Sequence, residues 1–420
     1  MNDTYIFNGQ IIDGTGREPI ANGALLVRGN RIIAVGQERD VPRPGQPHTS
    51  INAHGGTILP GLIDTHVHFM LEGLNLAQSM ATPFSLVFYQ AIDRMRRTLD
   101  AGITSVRDAG GTDLGMKMAV EQGLIPGPRM QISISVLTTT GGHADFWMRS
   151  GLQYDLVPPY PGHPGTSLVC DGVEEVRKKV RELLRAGAEV IKVCATGGVA
   201  SPTDHPDFTQ FTPEELAVMV QEGAYRGGIK VMAHAQGAEG IKNAIRAGIH
   251  SIEHGIFLDD EGIELMLAHG TYLVPTLVAP IGVLEAAEKG DVSEWAVRKA
   301  RETVEIHSEN IAKAYRAGVR VAMGTDAGVV PHGTNLRELG LMADIGMPPM
   351  DVIVSTTRLA AECLGWQDRL GTLAAGKLAD IIITRTNPLT ELKSLANPDN
   401  IVLVMKDGQV MKGQAMKGQA

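Results

Sequence analysis

From Leu62 to about residue 364 the chain alternates short apolar runs with amphipathic stretches, and this alternation restricts the fold more than any other feature. The apolar runs fall at 62–69, 104–108, 130–136, 190–195, 230–235, 251–255, 272–277 and 319–325. Strands that alternate with helices in this way pair in parallel and bury their faces under the helices. Eight successive units predict an α/β fold, a (β/α)8 TIM barrel over 59–369. The connecting stretches carry helical periodicity: Val173, Val176, Val180, Leu183 and Leu184 share one face, with Arg177, Lys178, Arg181 and Glu182 on the other. Thr212-Pro213-Glu214-Glu215 marks a helix start, with an N-cap threonine, proline at the first position and acids in the first turn. Two further helices are expected at 335–345 and 349–364.

The flanks have a different texture. Tyr5-Ile6-Phe7, the run from Gly23 to Arg28 and the run from Arg31 to Val35 read as strands, with Gly29-Asn30 as a hairpin turn. Strand texture returns at 379–383 and 401–405, followed by the turn Lys406-Asp407-Gly408. A single core rarely grows past roughly 300 residues, so 420 residues suit a large domain beside a small one. The economical arrangement joins 1–58 and 370–412 into one small β-sandwich domain. The chain ends on Met-Lys-Gly-Gln-Ala written twice, and 413–420 is expected to be a flexible tail.

Composition removes several classes of function. A net charge of -9 disfavours a nucleic-acid binder, whose footprint would be basic. No apolar run approaches the roughly 20 residues of a membrane span, and the first residues lack the basic start and apolar core of a signal peptide. A cytoplasmic location is the expectation. Cys170, Cys194 and Cys363 show no metal-ligand spacing and read as reduced core or site-lining thiols.

The chemistry lies at the strand ends. His66 and His68 close the apolar run that begins at Leu62, and a strand places every second side chain on one face, so both imidazoles can reach one metal ion. Alone, the pair reads nearly as well as two hydrogen-bonded histidines on a buried strand. Lys192, His234, His254 and Asp326 stand near the C-terminal ends of four later strands, the end at which a (β/α)8 barrel builds its active site. Each has a plain alternative: a helix-capping aspartate, a snorkelling lysine, a core histidine. Six such residues on barrel strands are hard to explain as six coincidences.

This pattern resembles the amidohydrolase superfamily, which carries His-x-His on strand one, lysine on strand four, histidines on strands five and six, and aspartate on strand eight. The resemblance extends from the lead-in Ile58-Leu59-Pro60-Gly61-Leu62-Ile63-Asp64 through Gly324-Thr325-Asp326-Ala327-Gly328 to the stretch from Leu370 to Asp380. It implies a binuclear metal centre in which His66, His68 and Asp326 bind one ion, His234 and His254 the second, and a carboxylated Lys192 bridges both. Nitrogen and oxygen ligands without thiolate suit two Zn2+ ions, with manganese or cobalt as alternatives. Asp326 would be the general base, taking a proton from the attacking water and passing it to the leaving amine.

The motifs Val106-Arg107-Asp108-Ala109-Gly110-Gly111, Thr140-Gly141-Gly142-His143-Ala144-Asp145 and Ala233-His234-Ala235-Gln236-Gly237 narrow the resemblance to the branch of imidazolonepropionase-like proteins, Xaa-Pro dipeptidases and ochratoxinase. The implied substrate is a small amide or dipeptide that releases a free amino acid: an Xaa-Pro dipeptide, or a hydrophobic N-acyl amino acid such as an ochratoxin-type aryl amide. His143 would hydrogen-bond the scissile carbonyl, or else is a surface loop histidine. Gln236 shares the face of His234 and would contact substrate, although relatives that bind a substrate carboxylate often have tyrosine there. His332 lines the pocket or holds its loop. Residues 149–170 and 278–293 are expected to form apolar pocket walls. Relatives commonly assemble as homo-oligomers. Two other readings stand: a cyclic-amide hydrolase or deaminase, the latter disfavoured by Lys192, and a metal-free binding or assembly protein, disfavoured by the complete ligand set.

Overall fold

A computed structural model describes residues 3–148, 150–413 and 416–417. The expected flexible tail, 413–420, falls mostly outside the described residues. Two parallel sheets make up the centre. One holds Leu62–Val67, Ile103–Asp108 and Arg129–Ile132 in that order. The other runs Ser167–Val169, Val136–Thr138, Val190–Cys194, Lys230–Ala235, Ser251–His254, Tyr272–Val274. Most strand residues are buried, as sheets covered by helices require. Among the described residues no helix is long and apolar enough to cross a membrane.

The helices start and stop where local chemistry allows. Pro213–Tyr225 opens on a capping box, in which the Thr212 hydroxyl accepts from Glu215 N and the Glu215 carboxylate accepts from Thr212 N. Val173–Ala186 ends on Gly187 at φ 102°, a left-handed position that glycine adopts without a Cβ penalty.

A third sheet combines both ends of the chain, in the order Gln409–Lys412, Ile401–Lys406, Ile381–Thr384, Thr57–Pro60, Asp3–Ile11, Ile20–Arg28, Arg31–Gln37. His48–Asn52 lies parallel to Asp3–Ile11, and Met416–Lys417 lies antiparallel to His48–Asn52. Ile6, Leu25, Ile32, Ile58, Ile381 and Met405 fill the core of this sheet. It is tied to the parallel sheets through Arg129, which donates to Asp380 at 2.6 Å and to Asp407 at 2.6 Å.

Three expected elements differ. The run 130–136 is two strands rather than one, because Ile134 adopts φ 69° and the chain changes neighbours: Ser133 N bonds Asp108 O, whereas Val136 N bonds Thr166 O. The helix expected over 349–364 breaks into Pro349–Ser355 and Arg358–Cys363, because the carbonyl of Thr356 accepts from Ile63 N at 2.8 Å. The run 319–325 forms only isolated parallel bridges, Leu273 with Val321 and, beyond it, Val67 with Ala327.

The irregularity at 319–327 has a definable cause. Asp64 is fully buried on the neighbouring strand and accepts from Thr325 N at 3.2 Å, Thr325 Oγ1 at 2.6 Å, Asn335 Nδ2 at 2.8 Å and His66 N at 3.1 Å. A side-chain carboxylate replaces a backbone carbonyl as the acceptor for Thr325 N, and the ladder is interrupted there. Gly324 permits the close approach, since a Cβ at that position would stand 3.0 Å from His66 Cβ. Backbone bonds resume on either side, Thr65 N to Met323 O at 3.0 Å and Asp326 N to His66 O at 2.8 Å. Asp64→Ala removes one acceptor shared by four buried donors. Such a loss costs about 2–4 kcal/mol, and the thermal unfolding midpoint should fall accordingly; an unchanged midpoint would show that Asp64 does not hold this junction.

Candidate active site

The C-terminal ends of the parallel strands bring His66, His68, Lys192, His234, His254 and Asp326 around one cavity of about 260 Å³. His66 and His68 both present Nε2 to the same oxygen, Asp326 Oδ1, at 3.5 and 3.3 Å. Lys192 Nζ lies 3.5 Å from His66 Nε2. The His254 ring centroid is 5.2 Å from that of His66 and 4.6 Å from that of His234. Residues up to 260 positions apart in sequence meet here because His66, His68, Lys192, His234 and His254 lie in or just after strands of the parallel layers and Asp326 follows the bridged run beside them.

Hydrogen-bond partners decide which nitrogen of each imidazole is free. His66 Nδ1 donates to Glu253 Oε2 at 2.8 Å, and His68 Nδ1 donates to the Gly110 carbonyl at 3.1 Å. A carboxylate and a carbonyl can only accept, so Nδ1 carries the proton in both rings and Nε2 keeps its lone pair. His234 is reversed: Nε2 donates to the Gly197 carbonyl at 3.0 Å, which leaves Nδ1 as the free nitrogen. His254 Nδ1 pairs with Thr276 Oγ1 at 2.7 Å.

Electrostatics favour the neutral form at His66, His234 and His254; at His68 burial acts downward too, but the Asp326 carboxylate beside it wins and raises the ring above the ordinary histidine value. Burial holds His66, His234 and His254 well below the usual histidine range, so they are neutral imidazoles. Burial also lowers Lys192, raising its share of neutral amine. For Asp326 burial acts upward, but the adjoining His68 and His66 rings and Lys192 outweigh it, and the carboxyl sits well below its ordinary value. Neutral imidazoles with fixed lone pairs beside a carboxylate are a fitting donor set for a divalent cation. His66, His68 and Asp326 offer ligand atoms that all lie within 4.8 Å of one another.

Two of these residues sit in backbone conformations that side chains rarely adopt, His254 at φ 72° and Asp326 at φ 59°, and Thr276 beside them is at φ 50°. Each costs on the order of 1–3 kcal/mol and persists only where surrounding contacts fix it. His307 Nε2 supplies one such contact, donating to the His254 carbonyl at 2.9 Å.

The sequence model of the amidohydrolase family matches residues 57–411. The chain belongs to the amidohydrolase family. It is a hydrolase acting on C–N bonds. Ochratoxinase from Aspergillus niger is 36% identical over 422 residues, covering 98% of this chain and 87% of that protein. Its crystal structure matches with a TM-score of 0.86 over 98% of this chain and 96% of that one. A Xaa-Pro dipeptidase with methionine bound in its active site is 35% identical at TM-score 0.88, covering 98% and 100%. A prolidase complexed with N-methylphosphonate-L-proline is 32% identical at TM-score 0.91, again covering 98% and 100%.

In this amidohydrolase the walls of the cavity are largely apolar. Leu156 and Val157 come from the long loop before Ser167–Val169, and Pro280 and Val283 from the helix Val278–Glu288. Trp295 adds a third contribution from the helix Glu294–Ala317. His143 lies in the wall, its ring stacked on His234 at 4.1 Å and 13°. Gln236 also lines the cavity, with Oε1 buried and without a hydrogen-bond partner. His332 is placed elsewhere. Its Nε2 bonds the carbonyls of His68 and Leu71 at 3.1 and 3.2 Å and its ring stacks on Phe69, so it lies behind the site and supports the turn after His68. The turn after Phe69 leaves the Leu71 carbonyl without a backbone donor, and His332 meets that need while also bonding the His68 carbonyl, which accepts from Leu71 N.

Sequence reasoning missed the layer beneath. Arg107 and Glu253 are fully buried; Arg107 Nη2 donates to Glu253 Oε1 at 2.8 Å, and Arg107 Nε donates to the Thr65 carbonyl at 2.7 Å. Ser251 Oγ adds a 2.6 Å bond to Glu253 Oε1. The available signal was an arginine and a glutamate inside apolar strands, where an unpaired charge is too costly to stand alone. Arg107→Met would leave Glu253 buried without its cation. Stability should drop by about 3–5 kcal/mol, and the affinity for an added divalent cation, measured by calorimetric titration, by about 10–100-fold. Wild-type affinity and melting in this variant would show that the pair does not support the site.

Proposed function

We propose that this amidohydrolase cleaves an amide bond to release a free amino acid, from hydrophobic N-acyl amino acids of the ochratoxin type or from Xaa-Pro dipeptides. The observation that carries the reading is the union of an apolar-walled cavity with a convergent His66, His68 and Asp326 group on its floor. Similarity to an ochratoxinase and to Xaa-Pro dipeptidases supports the same substrate class. In this reading the parallel sheets close into one (β/α)8 barrel with 319–327 as its eighth position, and the composite sheet is the small β domain.

His66, His68 and Asp326 would hold one Zn2+ ion, His234 and His254 a second, and Lys192, carboxylated on Nζ, both. Bound there, the ions supply Lewis-acid polarisation of the amide carbonyl and a water acidified to near neutrality. The protein's own groups do the rest. Asp326 Oδ1 faces both imidazoles, leaving Oδ2 to take the proton of the attacking water and deliver it to the departing amine. With the Ser201 hydroxyl donating to its Nδ1, His143 would keep the proton on Nε2 and donate it to the scissile carbonyl oxygen. The orphaned Gln236 amide meets the polar end of the substrate, and Leu156, Pro280 and Trp295 enclose the acyl group and exclude water.

The direct test is amino-acid release from Xaa-Pro dipeptides, N-acyl amino acids and ochratoxin-like aryl amides, with zinc and bicarbonate present and ammonia followed in parallel. Release of an amino acid is expected; ammonia alone would overturn the reading in favour of deamination. Lys192→Ala should lose most bound metal and most turnover, and full metal occupancy in that variant would refute the bridging role. Asp326→Asn should lower kcat by about 100- to 10,000-fold with a much smaller change in substrate binding. An unaltered kcat would exclude it as the base.

A further inference from the structure

One ammonium group lies outside the cavity and yet organises its wall. Lys299, on the helix Glu294–Ala317, is 5% exposed and donates to the carbonyls of Gly198 at 2.9 Å, Ser201 at 2.8 Å and Asp204 at 2.6 Å. Three N–H donors meet three carbonyls, so the ammonium is saturated. Its charge is balanced by Asp204 Oδ1 at 3.3 Å. Carbonyl dipoles aimed at one point repel one another unless a cation occupies that point. The loop that follows Val190–Cys194 therefore owes its shape to Lys299.

That loop holds His143. Ser201 Oγ hydrogen-bonds His143 Nδ1, and Asp204 Oδ2 lies 3.4 Å from the same nitrogen while accepting from Gly198 N at 3.2 Å. With Nδ1 engaged, Nε2 is the nitrogen left for the cavity that His143 lines. The loop also presses on the ring pair from the side: a Cβ at Gly198 would stand 2.5 Å from His143 Nδ1 and 2.8 Å from His234 Nε2. His234 Nε2 donates to Gly197 of the same loop.

We infer that Lys299 is a positioning residue of the active site: by gathering the oxygens of Gly198, Ser201 and Asp204 it fixes the loop that holds His143 over His234 with Nε2 free for substrate. The inference rests on the reading of His143 as a substrate contact. Lys299 is not itself in the cavity wall, whereas Trp295 and Ala296 of the same helix are. The spacing of four that links Trp295, Lys299, Thr303 and His307 places them along one stripe of the helix, half-buried at Trp295 and buried beyond it, which reaches the site twice, at the 198–204 loop and at the His254 carbonyl.

The test compares Lys299→Met, His143→Ala and the double variant in the zinc-loaded full chain, on whichever amide the wild type hydrolyses best. Lys299→Met is expected to keep wild-type zinc content and to lose on the order of 100-fold in kcat/KM, mostly in kcat, as a misplaced catalytic contact does. The double variant should fall within about twofold of His143→Ala alone, since both changes remove the same contact. Losses that multiply, or a Lys299→Met enzyme with wild-type kcat, would overturn the inference. Should Lys299→Met not fold, Asp204→Asn keeps the three carbonyl bonds and is expected to show the same non-additivity with His143→Ala. Hydrogen exchange of the metal-loaded protein provides a readout independent of turnover: Lys299→Met or Asp204→Asn should accelerate exchange at 198–204 and 141–145 while 62–67 stays protected. Unchanged exchange would contradict the positioning role even if no amide were hydrolysed, a result that would by itself refute only the proposed reaction.

Discussion

A carboxylate removed from water must be satisfied by protein, and the burial of Glu253 sets the terms for this site. Its two oxygens are taken by Arg107, Ser251 and His66. Desolvating an ion costs several kcal/mol, so the pair survives only with every partner in place. The arrangement fixes His66 as the tautomer with a free Nε2, and Arg107 carries the same constraint to the Thr65 carbonyl on the strand that bears His66. Orientation of the first histidine is thus imposed by Glu253, 187 residues away from it, and by Arg107, 42 residues away from Thr65.

A second constraint acts on two further residues of the site. His254 and Asp326 hold left-handed backbone conformations, and the surrounding hydrogen bonds determine them: His307 on the His254 carbonyl, Asn310 on the Ile256 carbonyl at 2.8 Å, and His66 O on Asp326 N. Interrupting the ladder at 319–327 is what allows the Asp326 carboxylate to turn inward toward two imidazoles. The backbone bonds resume at Asp326 itself, whose N donates to the His66 carbonyl at 2.8 Å. Asp64, by accepting Thr325 N in place of a backbone carbonyl, permits the departure.

Much of this was legible in the sequence because strand ends concentrate chemistry. The alternation of apolar runs and amphipathic helices announced the parallel layers, and polar residues closing those runs announced His66, His68, Lys192, His234, His254 and Asp326. Local periodicity could not show what depends on pairing across the sheets. The Arg107–Glu253 pair joins residues 146 positions apart, and the Lys299 contacts join a helix to a loop about 100 positions earlier. His332 has the composition and place of a pocket residue, yet the carbonyls of Leu71 and His68 behind the site claim it. The strand expected at 319–325 failed for a related reason: its apolar run is real, but a buried side-chain acceptor overrides the backbone pattern.

The central claim is that six strand-end residues form one two-ion centre, with Lys192 as the shared ligand. Metal analysis of the protein loaded with zinc in bicarbonate buffer tests it most directly. The account predicts two zinc ions per chain, falling when carbon dioxide is rigorously excluded during reloading of the metal-free protein, because the unmodified Lys192 amine cannot bridge two cations. One ion per chain, held equally well with and without carbon dioxide, would contradict it.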